Sequence, residues 1–320
     1  MTQISRAEAH HNRGAILLAN EEYKKALIEL NKAISIDPLE ATFRHTRAWA
    51  LWRLKQTDQA LDEMKFAINL SSDSNLLNSL GSFHYMLGEY DEALRIFSKA
   101  ISKAGCSQDA ALYLRKRGSA FFALDQTDFA ILDLNKAIEI NPSDAINYRE
   151  RAEVFQKLNR LNDAINDCSR ALIGVKDDPR IFHRRAECYF AQGKLGQALE
   201  DAQAAINIDD QYSEAHLLMG KILFADGQVS IAMQFFVTAF SLDERCADAY
   251  LNLSLCFDLL KSPKEAHQYA RKAAAIDPRY KKYTSEPVRQ TLIPADVIQR
   301  VQMFKANVHE LYPELTDDTI

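Results

Sequence analysis

Apolar residues recur along this chain with two periods. Within short stretches they return every three or four positions, and the whole pattern returns about every 34 residues. Residues 111–144 show one unit. In its first half Leu114, Gly118, Phe121 and Phe122 fall at i, i+4, i+7 and i+8, one face of a helix. In its second half Ala130, Leu134, Ala137 and Ile138 do the same. Between them Asp125, Gln126, Thr127 and Asp128 offer polar caps for a second helix. Asn141-Pro142 then ends that helix, because proline lacks the donor and crowds the preceding turn, and Ser143 and Asp144 stand where the next helix is capped. The unit reads as a helical hairpin whose apolar seam is too small to be buried alone. It needs copies of itself on both sides.

Eight such units begin at residues 7, 41, 74, 111, 145, 179, 213 and 247. The step falls to 33 after the second unit and rises to 37 after the third, where residues 102–109 are expected to be an inter-unit loop. Two positions are alanine in every copy. One set is Ala26, Ala60, Ala93, Ala130, Ala164, Ala198, Ala232 and Ala266; the other lies seven residues later, from Ala33 to Ala273. Two turns apart on one face, they let helices approach closely. A third small position, where the hairpin's helices are expected to cross, reads Gly14, Ala48, Gly81, Gly118, Ala152, Ala186, Gly220 and Ser254.

This period, the paired alanines, the small crossing residue and the closing prolines Pro38, Pro142 and Pro278 resemble the tetratricopeptide repeat family from residue 7 to residue 280. The resemblance implies an all-α fold: a right-handed α-solenoid of eight helix-turn-helix repeats. The aromatic often found early in the first helix is present as Tyr148, Phe182 and Tyr250 and absent elsewhere, which touches local turns only. Ankyrin units need a T-P-L-H turn that is missing, HEAT and armadillo units are longer, and RNA-reading pentatricopeptide arrays are usually basic. Residues 1–6 read as a lead-in. Residues 281–320 read as a linker and a capping helix opened by Pro294, with Val297, Val301, Phe304, Val308 and Leu311 on one stripe. An uncovered solenoid end would aggregate, so a cap is favoured over an oligomerisation or partner helix.

Composition narrows the function. A formal net charge of −5 argues against a general nucleic-acid or anionic-membrane surface. The start has no apolar core of a secretory signal, and no run of about 18 apolar residues spans a membrane. Five widely spaced cysteines fit reduced thiols, hence a cytoplasmic location. The glycines all have repeat-level roles, so no phosphate loop or nucleophile elbow remains. His11 and His45 stand at equivalent positions in neighbouring units, without the third ligand a metal site needs. No metal, cofactor or catalytic set is expected. Arg13, Arg47, Arg117, Arg151 and Arg185 recur just before the crossing residue, where the stem should pack and the guanidinium reach water or a carbonyl.

The resemblance also implies that first helices line a concave groove. Its early part is polar and aromatic, with Trp49, Trp52 and Tyr85. Its middle is basic with interleaved aromatics, with Arg115, Lys116, Phe122, Arg149, Arg180, His183, Arg184 and Phe190. Its last part, with Leu217, Leu218, Phe224, Leu251 and Leu255, suits a hydrophobic anchor or the returning C-terminal segment. Arginine forks bind carboxylates bidentately, so the basic middle is expected to take an acidic or C-terminal peptide segment. Alternatively Glu150, Glu153 and Glu187 pair with those arginines and the face is merely solvated. The family's chaperone-tail clamp is absent, since His11, Ala15, Thr46, Asn75 and Ser79 occupy its positions. The expected function is a non-catalytic protein-binding scaffold or adaptor, with no nucleic acid, no membrane insertion and self-association left open. Two alternatives stand: a structural subunit contacted through its convex face and ends, and a regulatory subunit or co-chaperone lacking that clamp.

Overall fold

The computed structural model describes residues 3–105, 107–285, 291–299 and 301. Among them are sixteen α-helices, and no strand occurs. Two compact units divide the chain, Met1–Val154 and Phe155–Ile320. The first holds α1 (Gln3–Ala19), α2 (Tyr23–Ile36), α3 (Ala41–Arg53), α4 (Thr57–Leu70), α5 (Ser74–Met86), α6 (Tyr90–Ala104), α7 (Gln108–Ala123), α8 (Thr127–Ile140) and most of α9 (Ala145–Lys157). The second continues with α10 (Leu161–Gly174), α11 (Pro179–Ala191), α12 (Leu195–Ile208), α13 (Ser213–Ala225), α14 (Val229–Leu242), α15 (Ala247–Leu259), α16 (Pro263–Ile276) and the 3-10 helix η1 (Pro278–Thr284). Inside each unit an odd helix packs on the even helix after it, and that even helix packs on the next odd one. Such nearest-neighbour contact defines an all-α helical repeat solenoid. Among the described residues no helix is long and apolar enough to cross a membrane.

The sixteen invariant alanines have no exposed surface at all. At the crossing position the sizes are matched across each hairpin. Glycine faces a large side chain sixteen residues on: a Cβ on Gly14 would lie 2.7 Å from Leu30, on Gly81 2.7 Å from Phe97, and on Gly220 2.5 Å from Phe236. Where alanine or serine holds this position, the residue sixteen on is Met64, Cys168, Ala202 or Ala270.

Every hairpin turns through one left-handed residue at the same place in its repeat. In three it is glycine (Gly88, Gly193, Gly227); in the others it is Glu21, Lys55, Asp125, Asn159 and Lys261, with φ of 56° to 62°. Asp125 N–H donates to the Phe122 carbonyl (3.0 Å) and Gln126 N–H to the Phe121 carbonyl (2.8 Å), the 5→2 and 6→1 bonds of a Schellman ending. The expected polar cap at residues 125–128 is therefore not made by the residue at the N-cap itself. Asp125 closes the first helix, and Gln126, the N-cap of α8, makes no side-chain cap bond. Asp144 does cap, accepting from Ile146 N–H at 2.9 Å. A lysine pays about 1–2 kcal/mol for this conformation, and glycine returns part of that gain through its freer unfolded chain. Lys55→Gly and Lys261→Gly should each stabilise by about 0.5 kcal/mol, seen as a higher urea midpoint. Equal or lower midpoints in both would contradict this account of the turn.

The longer third step is mostly not a loop. Helix α6 runs on to Ala104, Gly105 ends it at φ 60°, and α7 starts at Gln108, ahead of the repeat boundary. At the other end, residues 295–299 are helical. Ile293 and Val297 are buried in one cluster with Leu218, Phe224 and Leu255, and Val301 packs against it. Phe304, Val308 and Leu311 lie outside the described residues.

Candidate functional site

Four of the recurring arginines reach carboxylates, not the water or carbonyl expected. Arg117 grips Asp133 with two bonds, Nε to Oδ2 at 2.7 Å and Nη2 to Oδ1 at 2.8 Å. Arg185 grips Asp201 in the same way, both at 2.7 Å. Arg47 binds Glu63, and Arg13 binds Glu29 at 3.0 Å. In each case the acid lies sixteen residues on, in the even helix of the same hairpin. The remaining nitrogen reaches back to the preceding even helix: Arg47 Nη1 donates to Asn31 (2.9 Å), Arg117 Nη1 to Ser98 (2.9 Å), and Arg185 Nη1 to Ser169 (3.1 Å). The guanidiniums of Arg47, Arg117 and Arg185 thus tie consecutive repeats together and are engaged within the array.

The pairing was readable from the chain. Repeats with this arginine carry an acid sixteen residues later, including Arg151 and Asp167. Repeats without it carry apolar pairs, Leu80 with Ile96, Met219 with Phe235 and Leu253 with Tyr269.

In the first unit, consecutive odd helices are joined by polar bonds along one face. His11 Nε2–H donates to Thr46 Oγ1 (2.9 Å), whose own proton goes to the Thr42 carbonyl. Trp49 Nε1–H donates to His45 Nε2 (3.1 Å), which must be unprotonated to accept it; Ser79 Oγ–H donates to the same atom (2.9 Å). Burial holds the His45 imidazole below its ordinary value, as neutral acceptance requires. Lys116 Nζ donates to Ser82 Oγ (2.7 Å), and Ser119 Oγ to Glu150 (2.8 Å). Beside these bonds opens a cavity of about 320 Å³ lined by Trp49, Tyr85, Met86, Phe97, Arg115, Lys116 and Glu150, with Ser82 and Ser119. Six of its lining residues come from α5 and α7, and Trp49, Ser82 and Ser119 hold the same position in successive repeats.

Other residues singled out by the sequence point elsewhere. Trp52 stacks on Phe83 (centroids 4.3 Å apart, planes 8° apart) and belongs to the core of its repeat pair. Phe122 packs against Ala130, Leu134 and Val154. Arg149 Nη2 stands 3.6 Å from Glu150.

In the second unit Arg180 is held by its own helix cap: its Nε donates to Asp178 at 2.9 Å and its Nη2 at 3.0 Å. His183 lies edge-on to Tyr212 (5.3 Å), and burial lowers its pKa. Arg184 donates to Gln156 (2.9 Å), whose amide donates to Glu187 (3.1 Å). Phe190 packs against the apolar cluster that also holds Ile293 and Val297. The second unit's apolar stretch, Leu217, Leu218 and Leu255, thus belongs to a cluster to which the chain's own later segment contributes. Lys221 and Tyr280 both bind Asp248.

Burial pushes the Cys168 thiol up to about 12 and Cys188 up to about 11, so both stay protonated at neutral pH and neither is an activated nucleophile. Among the described residues no group of three His, Cys, Asp or Glu side chains is placed to hold a metal ion.

Two sequence-family models, both described as tetratricopeptide repeat, match the chain. One covers residues 7–39; the other covers 45–108, 84–145, 149–216 and 217–281. Among curated proteins, human tetratricopeptide repeat protein 16 is 25% identical over 154 residues, 44% of this chain and 17% of that protein. The small glutamine-rich tetratricopeptide repeat-containing protein 2 of Saccharomyces cerevisiae is 29% identical over 142 residues, 44% of this chain and 40% of that protein. The match therefore spans less than half of either relative's length. Among solved structures, a tetratricopeptide repeat protein of Parabacteroides merdae is similar with a TM-score of 0.60 at 19% identity, covering 79% of this chain and 99% of that one. The Cut9–Hcn1 hetero-tetramer of the APC/C gives 0.63 at 13% identity, covering 91% and 54%. At these identities the structural likeness shows the fold.

Proposed function

The chain belongs to the tetratricopeptide repeat family, and from that premise we propose that it is a non-catalytic adaptor or scaffold that takes an extended segment of a partner protein on the face of its odd-numbered helices. The family in general mediates protein–protein interaction, and the observation that carries the finer reading is the open cavity of the first unit. It combines an aromatic and thioether wall, Trp49, Tyr85 and Met86, with Arg115, Lys116 and Glu150. An apolar concavity with a few convergent polar groups is what a ligand site offers, and rigid aromatic anchors beside arginine are the usual centres of binding energy. Met86 is 48% exposed, so this wall has apolar surface to give up.

The second unit contributes differently. Its apolar stretch is already packed with Ile293 and Val297, which leaves Arg184, His183 and Glu187 as its polar contribution to a partner. Four described cysteines are free thiols, which supports a reducing, cytoplasmic setting.

Selection of a random display library of short peptides on the full chain tests this reading. The selected peptides should lose at least tenfold in affinity on Tyr85→Ala or Met86→Glu, with the thermal midpoint kept. Peptides that ignore both changes but are lost on Phe129→Ser or Leu132→Ser, which alter exposed positions of α8, would sink it.

A further inference from the structure

The sharpest feature of that cavity is an unbalanced charge. Arg115 and Lys116 both line it. Arg115 makes no side-chain hydrogen bond or ion pair among the described residues, and its Nε is buried without a partner. Among the described residues Lys116 is held only by the Ser82 hydroxyl (2.7 Å), and its environment disfavours the charged form, through burial first and the Arg115 charge second. The carboxylate within the lining is Glu150, and it is otherwise engaged. It accepts from Ser119 Oγ at 2.8 Å and stands 3.6 Å from Arg149. Two partly desolvated cations beside each other, with no counter-charge of their own, are a costly arrangement that an incoming anion would relieve. The other arginines of the first unit that face into packed structure, Arg47 and Arg117, have acids built in for them. Arg115 does not.

Resting on the peptide-binding reading, we propose that Arg115 and Lys116 form a subsite for one side-chain carboxylate, an Asp or Glu within an extended peptide, whose neighbouring large apolar side chain lies on Trp49, Tyr85 and Met86. The guanidinium offers the bidentate fork and the ammonium a second donor. Glu150 sets the limit on charge. It is one acid within the same lining as the two cations, and with Glu153 it raises the Tyr85 phenol pKa, after the effect of burial. That carboxylate disfavours a run of acids or a phosphate dianion while one carboxylate is accepted. An interior residue is favoured over a chain end because the odd-helix face runs on past the cavity through α3 and α1, where His45, Thr46 and His11 continue it.

The peptides selected on the full chain supply the probes, with Trp49 fluorescence and labelled-peptide anisotropy as readouts. The expected result is enrichment of Asp or Glu beside Phe, Tyr, Trp, Leu or Met. Replacing that acid by its amide in the peptide should cost about tenfold or more, a factor set by the loss of a charge-assisted pair. On Arg115→Gln with Lys116→Gln the acid and amide peptides should bind equally. The peptide-side comparison stands even if that variant folds poorly, and Lys116→Gln alone should halve the logarithmic preference. Peptides that bind this face with no acid preference would overturn the subsite and leave the peptide-binding reading intact. Tighter binding when phosphoserine replaces the acid would also overturn it. Failure to select any peptide would overturn both.

Discussion

Arg117→Leu should destabilise the first unit by about 3 kcal/mol, the low end for breaking a buried ion pair. The reason is what it leaves behind. Asp133 is 4% exposed, and both of its oxygens are held by Arg117 alone among the bonds it makes. Without the guanidinium the carboxylate is an uncompensated charge between helices. The arginine's bond to Ser98 in the preceding even helix is lost as well. The double change Arg117→Leu with Asp133→Ile should recover most of the loss, because replacing a buried pair with packed apolar residues of similar volume is often neutral or stabilising. The chain already contains that solution, Leu80 with Ile96, at the same two positions of the third repeat. Urea or thermal unfolding of the single and double variants measures both. A double variant no better than the single would show that the ion pair does something the apolar pair cannot.

Phe236→Ala should cost about 4 kcal/mol, as for a large buried aromatic truncated to alanine, and the opposite change across the same contact should also destabilise. Glycine in a helix interior is normally improved by alanine, by about 1 kcal/mol. At Gly220 the sign reverses, because the new Cβ would meet the Phe236 ring at 2.5 Å and 2.7 Å. Overpacking of this kind costs about 1–3 kcal/mol. At Gly118 the same change meets Leu134 at 3.2 Å, a branch that can yield by a few tenths of an ångström, and should be close to neutral. Gly220→Ala combined with Phe236→Met copies the Ala48 and Met64 pair and should regain stability. Midpoints for the three alanine variants would decide it. A Gly220→Ala protein as stable as the parent would refute size matching as the rule of the crossing point.

Much of the site was legible as a face and little of it as a set of partners. The resemblance places Trp49, Tyr85, Arg115 and Lys116 on the groove-lining face of first helices, and the structure brings these four to one cavity. The same reasoning grouped Arg180 with His183 and Arg184. It could not see that Arg180 turns back on its own cap at Asp178, a contact two residues away that helical periodicity does not describe. Trp52 and Phe122, which the resemblance assigns to the groove, pack inward, on Phe83 and on the Leu134 cluster. A position on the edge of a helical face can lean either way, and the neighbouring helix decides.

By itself the sequence determined the hairpins, their number, the alanines at the contacts and the small crossing residue. Each of these is a local requirement repeated eight times, so one copy's ambiguity is resolved by the others. The tertiary structure decided which charges are spent. Arg117 and Arg115 stand two positions apart on α7 and look alike as residues. The sixteen-residue spacing offers the first an aspartate, which it holds at 2.7 Å, but only packing shows that the second meets no acid among the described residues. That distinction depends on what the adjacent helix presents at the point of contact, a fact of three dimensions that spacing within one helix does not contain.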